Sequence, residues 1–192
     1  MSAPGGSHIL ALSGGIGGAK LALGLYNALD PHQLTVVANT ADDFVHLGLH
    51  VSPDIDTLLY TLAGINNTET GWGRAEESWH FMAALEGLGG DTWFQLGDKD
   101  LATNVERTRR VNAGESLTAI TERLAIALSV HANIIPMSDQ RVSTIVESLD
   151  GPVPFQEYFV KQQCRPVVTG FQFDGAEQAE PSAALISCLT DP

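Results

Sequence analysis

The stretch HILALSGGIGGAKLALGLYNALDPHQLTVVA constrains this chain more than any other. Ile9 to Leu12 is a short apolar run suited to a buried strand, and four glycines fall among the five residues 14–18. Lys20 to Leu29 then carries helix formers that stop at Asp30 and Pro31, and Leu34 to Ala38 is apolar again. Strand, glycine turn, helix and strand in that order make a parallel crossover. A parallel sheet brings the carboxyl ends of its strands to one edge, and ligands of open α/β proteins sit outside that edge. The glycine turn and the loop Asn39-Thr40-Ala41-Asp42-Asp43 therefore share it.

A helix N-terminus presents unpaired N–H groups and about half a positive charge, and glycine lets an anion approach the backbone, so phosphate is the ligand this turn suggests. Neither familiar phosphate fingerprint fits. A Walker loop needs Gly where Ala19 stands and Ser or Thr where Leu21 stands, and a dinucleotide motif read from Gly15 and Gly17 needs a small residue at Lys20. The plain alternative is a tight strand-to-helix turn that holds nothing.

Composition narrows the classes. With 192 residues, 44% of them hydrophobic, the chain can bury one core, and a single domain over residues 1–192 is expected. A net charge of −13 argues against general binding to nucleic acid or to an anionic membrane, so a phosphorylated ligand needs a local device: the glycine turn, a metal on carboxylates, or both. No apolar run approaches a membrane span, and MSAPGGSH lacks the regions of a signal peptide, which predicts a cytoplasmic protein. Cys164 and Cys188 suggest neither a disulfide framework nor a zinc site.

Further along, Ser52 caps a predicted helix with Pro53 at its first position and Asp54 and Asp56 in its first turn. A helix over Ala75 to Leu85 and a short strand over Thr92 to Leu96 follow. Asp100 reads as the cap of a helix in LATNVERTRR, with Arg107, Arg109 and Arg110 as solvated charge. Leu117, Ile120, Leu124, Ala127 and Leu128 mark a helix from Ser116 to Val130. Ile134 to Met137, Val142 to Val146 and Phe155 to Val160 read as strands, the last of them antiparallel. The chain stops at Asp191-Pro192, just where a helix over Ala183 to Leu189 ordinarily hands over to another strand, so the open α/β pattern reads as cut off.

Asp42 and Asp43 after a strand, with Asp54 and Asp56 at a helix start, place four carboxylates near the glycine turn. Mg²⁺ takes one or two such oxygens and leaves its other positions to water and phosphate, so a phosphoryl-transfer site fits. The structural alternative is that Asp54 and Asp56 complement a helix dipole and Asp42 forms a turn. Asp98 or Thr103 can hydrogen-bond a polar ligand, and Trp72 can lie against a flat ring or simply pack at the surface. His46 and His50 stand four apart without the Glu of a zinc-protease helix and read as structural, and no GxSxG elbow or local Cys-His pair points to a covalent nucleophile.

Taken in order, GGIGGAKLALGL, NTADDFVHLGLHVSPDIDTLLYTLAG, GWGRAEESW, WFQLGDKDLAT, IIPMSDQRVSTIV and FQEYFV closely resemble the 2-phospho-L-lactate transferase family of coenzyme F-420 biosynthesis, from about Ile9 to Leu189. The resemblance implies a Rossmann-like α/β fold, a mostly parallel open sheet with helices on both faces, incomplete at the C-terminus. It also implies a homodimeric, Mg²⁺-dependent enzyme. The acceptor is the ribityl deazaflavin Fo, the donor a guanosine diphosphate-linked lactyl or phosphoenolpyruvyl acid, and GMP leaves. By matching motif, Gly14, Gly15, Gly17, Gly18 and Lys20 become the nucleotide and phosphate cradle. Asp42 and Asp56 become the metal carboxylates with Asp43 and Asp54 beside them, the direct ligand of each pair staying open, and Asp42, Asp43 and Asp56 the catalytic acids. Trp72, Asp98, Asp100 and Thr103 fall to the deazaflavin side. Family members continue past this end with a strand and a Ser-Asn-Pro loop on the nucleotide side.

Two other readings compete. Gluconeogenesis-factor regulators share the glycine-rich start and bind a nucleotide sugar, but their second loop runs into Gly-Gly-Ser-Ser, whereas Asp43 here leads to Phe44-Val45-His46. A dinucleotide oxidoreductase is disfavoured by Lys20 and by the lack of an acid at the end of the second strand.

Overall fold

The computed structural model describes residues 8–190; the opening MSAPGGS and the closing Asp191-Pro192, on which the leader and chain-end expectations rest, lie outside them. Three strands, β1 (Ile9–Ser13), β2 (Leu34–Ala38) and β5 (Asn133–Pro136), form a parallel sheet in the order β1-β2-β5. Alternation along the strands separates its two faces. Leu34, Val36, Ala38 and Ile134 point into the main core with α1 (Gly15–Ala28), α2 (Pro53–Leu62) and α5 (Leu117–Ala127). Thr35 and Asn133, on the other face, meet Cys188 of α6 (Ala183–Thr190). The predicted parallel crossover and the helices on both faces are present.

The chain leaves the sheet twice. A hairpin, β3 (Phe44–His46) with β4 (Leu49–Val51), follows β2 directly, and β6 (Ser143–Ser148), β7 (Gly151–Pro154) and β8 (Val168–Asp174) make a separate antiparallel sheet in the order β7-β6-β8. The N–H of Thr144 donates to the carbonyl of Ala41 at 2.7 Å, which ties that second sheet to the loop after β2. No described helix is long and apolar enough to cross a membrane.

Several elements depart from expectation for local reasons. α1 begins at Gly15, not near Lys20: Gly15 takes a left-handed φ of 60°, which glycine adopts without steric cost, and Gly17 and Gly18 are helical residues. α3 (His80–Gly87) starts five residues later than Ala75, because the carboxylate of Asp98 collects the N–H groups of His80 and Phe81 there. In return Glu77 accepts from the N–H groups of Lys99 and Asp100, so α4 (Asp98–Asn112) is closed by a side chain from the previous segment and Gly97, not Asp100, precedes it. Residues 92–96 form no strand. Phe155 to Val160 is not a strand either; a wide helical turn covers Glu157–Lys161, and Phe155 stacks on Phe159 with ring centroids 5.6 Å apart, a contact that spacing of four allows in a helix and not in a strand. Arg107 is fully buried where solvated charge was expected.

Candidate functional site

A cavity of about 1040 Å³ opens at the carboxyl edge of the parallel sheet. It is lined by Leu12 and Val37 of the sheet strands and Met137 just after β5, by Gly14, Gly15, Asn39, Asp42 and Asp54, and by the rings of Trp72, Trp93, Phe94, Phe155 and Phe159. Polar groups thus gather at one end of an otherwise apolar, ring-lined space, the usual form of a small-molecule site.

The polar end is built by three successive chain segments. Asn39 leaves β2 with its N–H on the carbonyl of Ser13 at 2.9 Å, and its side-chain oxygen accepts from the N–H of Ala41 at 3.1 Å, which folds the loop so that Asp42 faces the cavity. Asp54, second residue of α2, reaches across to α1: its Oδ1 accepts from the N–H of Gly15 at 2.9 Å. The amide nitrogen of Asn39 donates to Asp42 Oδ2 at 3.1 Å and to Asp54 Oδ2 at 2.9 Å, joining the two acids. Burial first, and the neighbouring Asp54 charge second, push the Asp42 carboxyl above its ordinary range, while hydrogen bonds from Thr144 and Asn39 work against the shift.

The other two acids turn away from the cavity. Asp56 is paired with Arg107, whose guanidinium donates to both of its oxygens and also to Asn104 Oδ1 at 2.9 Å. Burial opposes the Arg107 charge and Asp56 more than offsets it, holding the guanidinium above its ordinary pKa. Asp56 is therefore an interior counter-charge, and of the PDIDT pair it is Asp54 that lines the cavity. Asp43 accepts from the Ser52 hydroxyl at 2.6 Å and lies 3.3 Å from His50 Nε2; burial raises its pKa, and its Oδ1 is buried without a partner. It braces the hairpin against the start of α2, and Ser52 serves that bond instead of capping the helix.

The remaining predicted residues divide similarly. Gly14 and Gly15 line the cavity; Gly17, Gly18 and Lys20 do not. A Cβ on Gly18 would stand 2.5 Å from Ser13 Oγ and 3.0 Å from Ser13 Cα, so glycine there permits close helix-to-strand packing. Trp72 lines the cavity, but Asp98 caps α3 and Thr103 is buried in α4. Asp100 accepts from the Tyr60 hydroxyl at 2.7 Å and, with Trp72 and Arg74, borders a separate cleft of about 300 Å³. Sequence reasoning did not single out Asn39, Trp93, Phe94, Phe155 or Phe159. The Phe155/Phe159 spacing was the available signal; Trp93 and Phe94 join Phe44 and His46 in a ring cluster that only the folded chain assembles.

Among the described residues no three His, Cys, Asp or Glu side chains converge as a closed metal cage. Asp42 and Asp54 are two hard carboxylates facing one cavity, the donor set Mg²⁺ uses when a phosphorylated ligand and water complete its shell.

The family described as 2-phospho-L-lactate transferase CofD matches residues 9–191. Among curated proteins, the phosphoenolpyruvate transferase of Streptomyces avermitilis is 41% identical over 189 residues, which cover 96% of this chain and 59% of the relative. That of Streptomyces coelicolor is 42% identical over 187 residues (95% and 59%), and that of Mycobacterium tuberculosis 36% over 203 (95% and 61%). The chain thus spans about three fifths of the length of these relatives. Two crystal structures of a Bacillus halodurans protein, one described as a member of the UPF0052 family, share the fold: TM-scores are 0.60 and 0.61 at 14% and 15% identity, covering 96% and 97% of this chain and 56% of theirs.

Proposed function

This chain belongs to the 2-phospho-L-lactate transferase family, and from that premise we propose that it moves a phosphoenolpyruvyl or phospholactyl group from a guanosine diphosphate derivative to the ribityl hydroxyl of the deazaflavin Fo. The names of the relatives favour the phosphoenolpyruvyl donor. In this reaction the acceptor oxygen bonds to the phosphorus that bears the three-carbon acid, the bond from that phosphorus to the bridging oxygen breaks, and GMP departs with the electron pair while the hydroxyl proton passes to a base or to water.

One observation carries the reading: Asp42, Asp54 and the N-terminus of α1 meet at one end of a large aromatic cavity on the carboxyl edge of the sheet. Asp42 and Asp54 would hold Mg²⁺, which would neutralise charge on the diphosphate. The first turn of α1, beyond the Gly15 N–H that Asp54 occupies, suits the same anion. Trp72, Trp93, Phe94, Phe155 and Phe159 offer faces for a flat tricyclic ring. The work of the chain is to align the two substrates and stabilise charge, which is most of what phosphoryl transfer asks of a protein. A homodimer is part of this proposal, checked by light scattering.

The test is product formation from Fo and phosphoenolpyruvyl-diphospho-5′-guanosine with Mg²⁺, followed by mass spectrometry. Turnover that disappears with Asp42→Asn supports the reading. Turnover by that folded variant equal to the parent's removes Asp42 from the site.

A further inference from the structure

Asn39 is not one of the acids the reaction would use, yet it touches both that line the cavity. Its side-chain nitrogen carries two hydrogens and gives one to Asp42 Oδ2 and the other to Asp54 Oδ2, at 3.1 and 2.9 Å. Carboxylates only accept, and the N–H of Ala41 only donates to Asn39 Oδ1, so the three contacts fix which end of the amide faces which partner. The backbone N–H of Asn39 is bonded to Ser13 O, and its Cβ lies 3.5 Å from where a Cβ on Gly14 would stand, so the residue cannot drift from the glycine turn. One residue, through its backbone N–H and its side chain together, therefore links the ends of β1 and β2 to the first turn of α2.

Two like charges held this close repel unless something between them carries positive potential. The amide supplies that through both hydrogens and costs no net charge. Each acid keeps lone pairs that Asn39 does not use, and Asp42 Oδ1 in particular is left without a bond to Asn39.

We propose that Asn39 is a positioning residue: its amide holds Asp42 and Asp54 as a ready-set pair, so that a divalent cation meets two oriented carboxylates instead of two that must be ordered against their mutual repulsion. The proposal rests on the metal-carboxylate reading above and adds a residue to it. Asn39→Ala removes both hydrogen bonds and the loop acceptor; Asn39→Ser keeps an acceptor for the Ala41 N–H, and hence the turn, but can donate only one hydrogen over a shorter reach.

The experiment is calorimetric titration of Mn²⁺ into the full chain and into both variants, with thermal melts of the metal-free proteins alongside. Releasing two side chains from a fixed geometry predicts binding weaker by about tenfold for Asn39→Ala and by about threefold for Asn39→Ser, with Asn39→Ser melting close to the parent. If Asn39→Ala does not fold, Asn39→Ser decides. Folded variants that bind Mn²⁺ within twofold of the parent overturn the positioning role even if their melting temperatures fall, because a purely structural Asn would move the melt alone. A folded parent that binds no Mn²⁺ overturns the metal reading on which the proposal stands.

Discussion

The backbone N–H of Gly15 donates to Asp54 Oδ1 at 2.9 Å, so a carboxylate from α2 already sits at the positive end of α1. That contact joins the glycine turn to the first turn of α2 and makes one polar corner out of segments 39 residues apart. Around it, neighbouring glycines and neighbouring acids have quite different duties, and substitutions should separate them.

Gly17 and Gly18 both lie within α1, but a Cβ on Gly17 meets nothing within 4 Å whereas one on Gly18 meets Ser13. Gly17→Ala should stabilise the chain by roughly 0.5–1 kcal/mol through helix propensity. Gly18→Ala should destabilise it by about 1–3 kcal/mol through overpacking. Urea unfolding of the two variants reads both, and opposite signs are expected.

Arg107 and Asp56 form a buried pair whose members cannot be removed singly without leaving an unmatched charge. Arg107→Leu should cost about 3–5 kcal/mol, and the double variant Arg107→Leu/Asp56→Leu should recover a large part of that loss. Denaturant midpoints of the single and double variants test the coupling. An additive result would mean that the pair is not an interacting unit.

How much of this was legible in the sequence follows from how local each signal is. β1, the turn, α1 and β2 are encoded in one contiguous run, and the helix of Ser116 is written in its own apolar spacing, its start confirmed by the Ser116 hydroxyl accepting from Ala119 N–H. The duties of the four acids were not legible. Asp54 and Asp56 differ by two positions on a helix, about 200° of rotation, so one faces the cavity and the other the interior; which is which depends on Arg107, 51 residues onward. The start of α3 was missed because its capping carboxylate, Asp98, comes from 17 residues beyond Phe81. Phe155 to Val160 is rich in aromatic residues that favour strands, and packing of Phe155 on Phe159 overrode that preference.

Asp100 titrates at about 7, raised by burial first and by the Asp56 charge second. Because the folded chain binds this proton more tightly than the unfolded chain, whose carboxyl releases it near 3.8, the stabilisation from Asp100 is fully present below the unfolded value and is lost as pH rises from about 4 through about 7. Asp100→Asn keeps an acceptor for the Tyr60 hydroxyl and abolishes the titration. Its stability relative to the parent should therefore increase with pH across that window, as seen in melts at pH 4.5 and pH 8; a constant difference would contradict the assignment.

Phe159 is 56% exposed, stacks on Phe155 and faces the cavity, so it is available to a ligand ring at little cost to the core. Phe159→Ala should weaken Fo binding by about 2- to 10-fold, the range of one aromatic contact, while leaving Mn²⁺ binding unchanged. Fluorescence titration of Fo and calorimetry of Mn²⁺ on the same preparation separate the two ends of the cavity.

The most direct measurement is a titration of Fo, followed by its own fluorescence, into the folded chain with and without Mg²⁺ and GDP. If the cavity is the transferase site, Fo binds saturably, Mg²⁺ with GDP changes its affinity, and Asp54→Asn removes that Mg²⁺-dependent change while Fo alone still binds. A chain that is folded by circular dichroism and binds no Fo under any of these conditions would contradict the account.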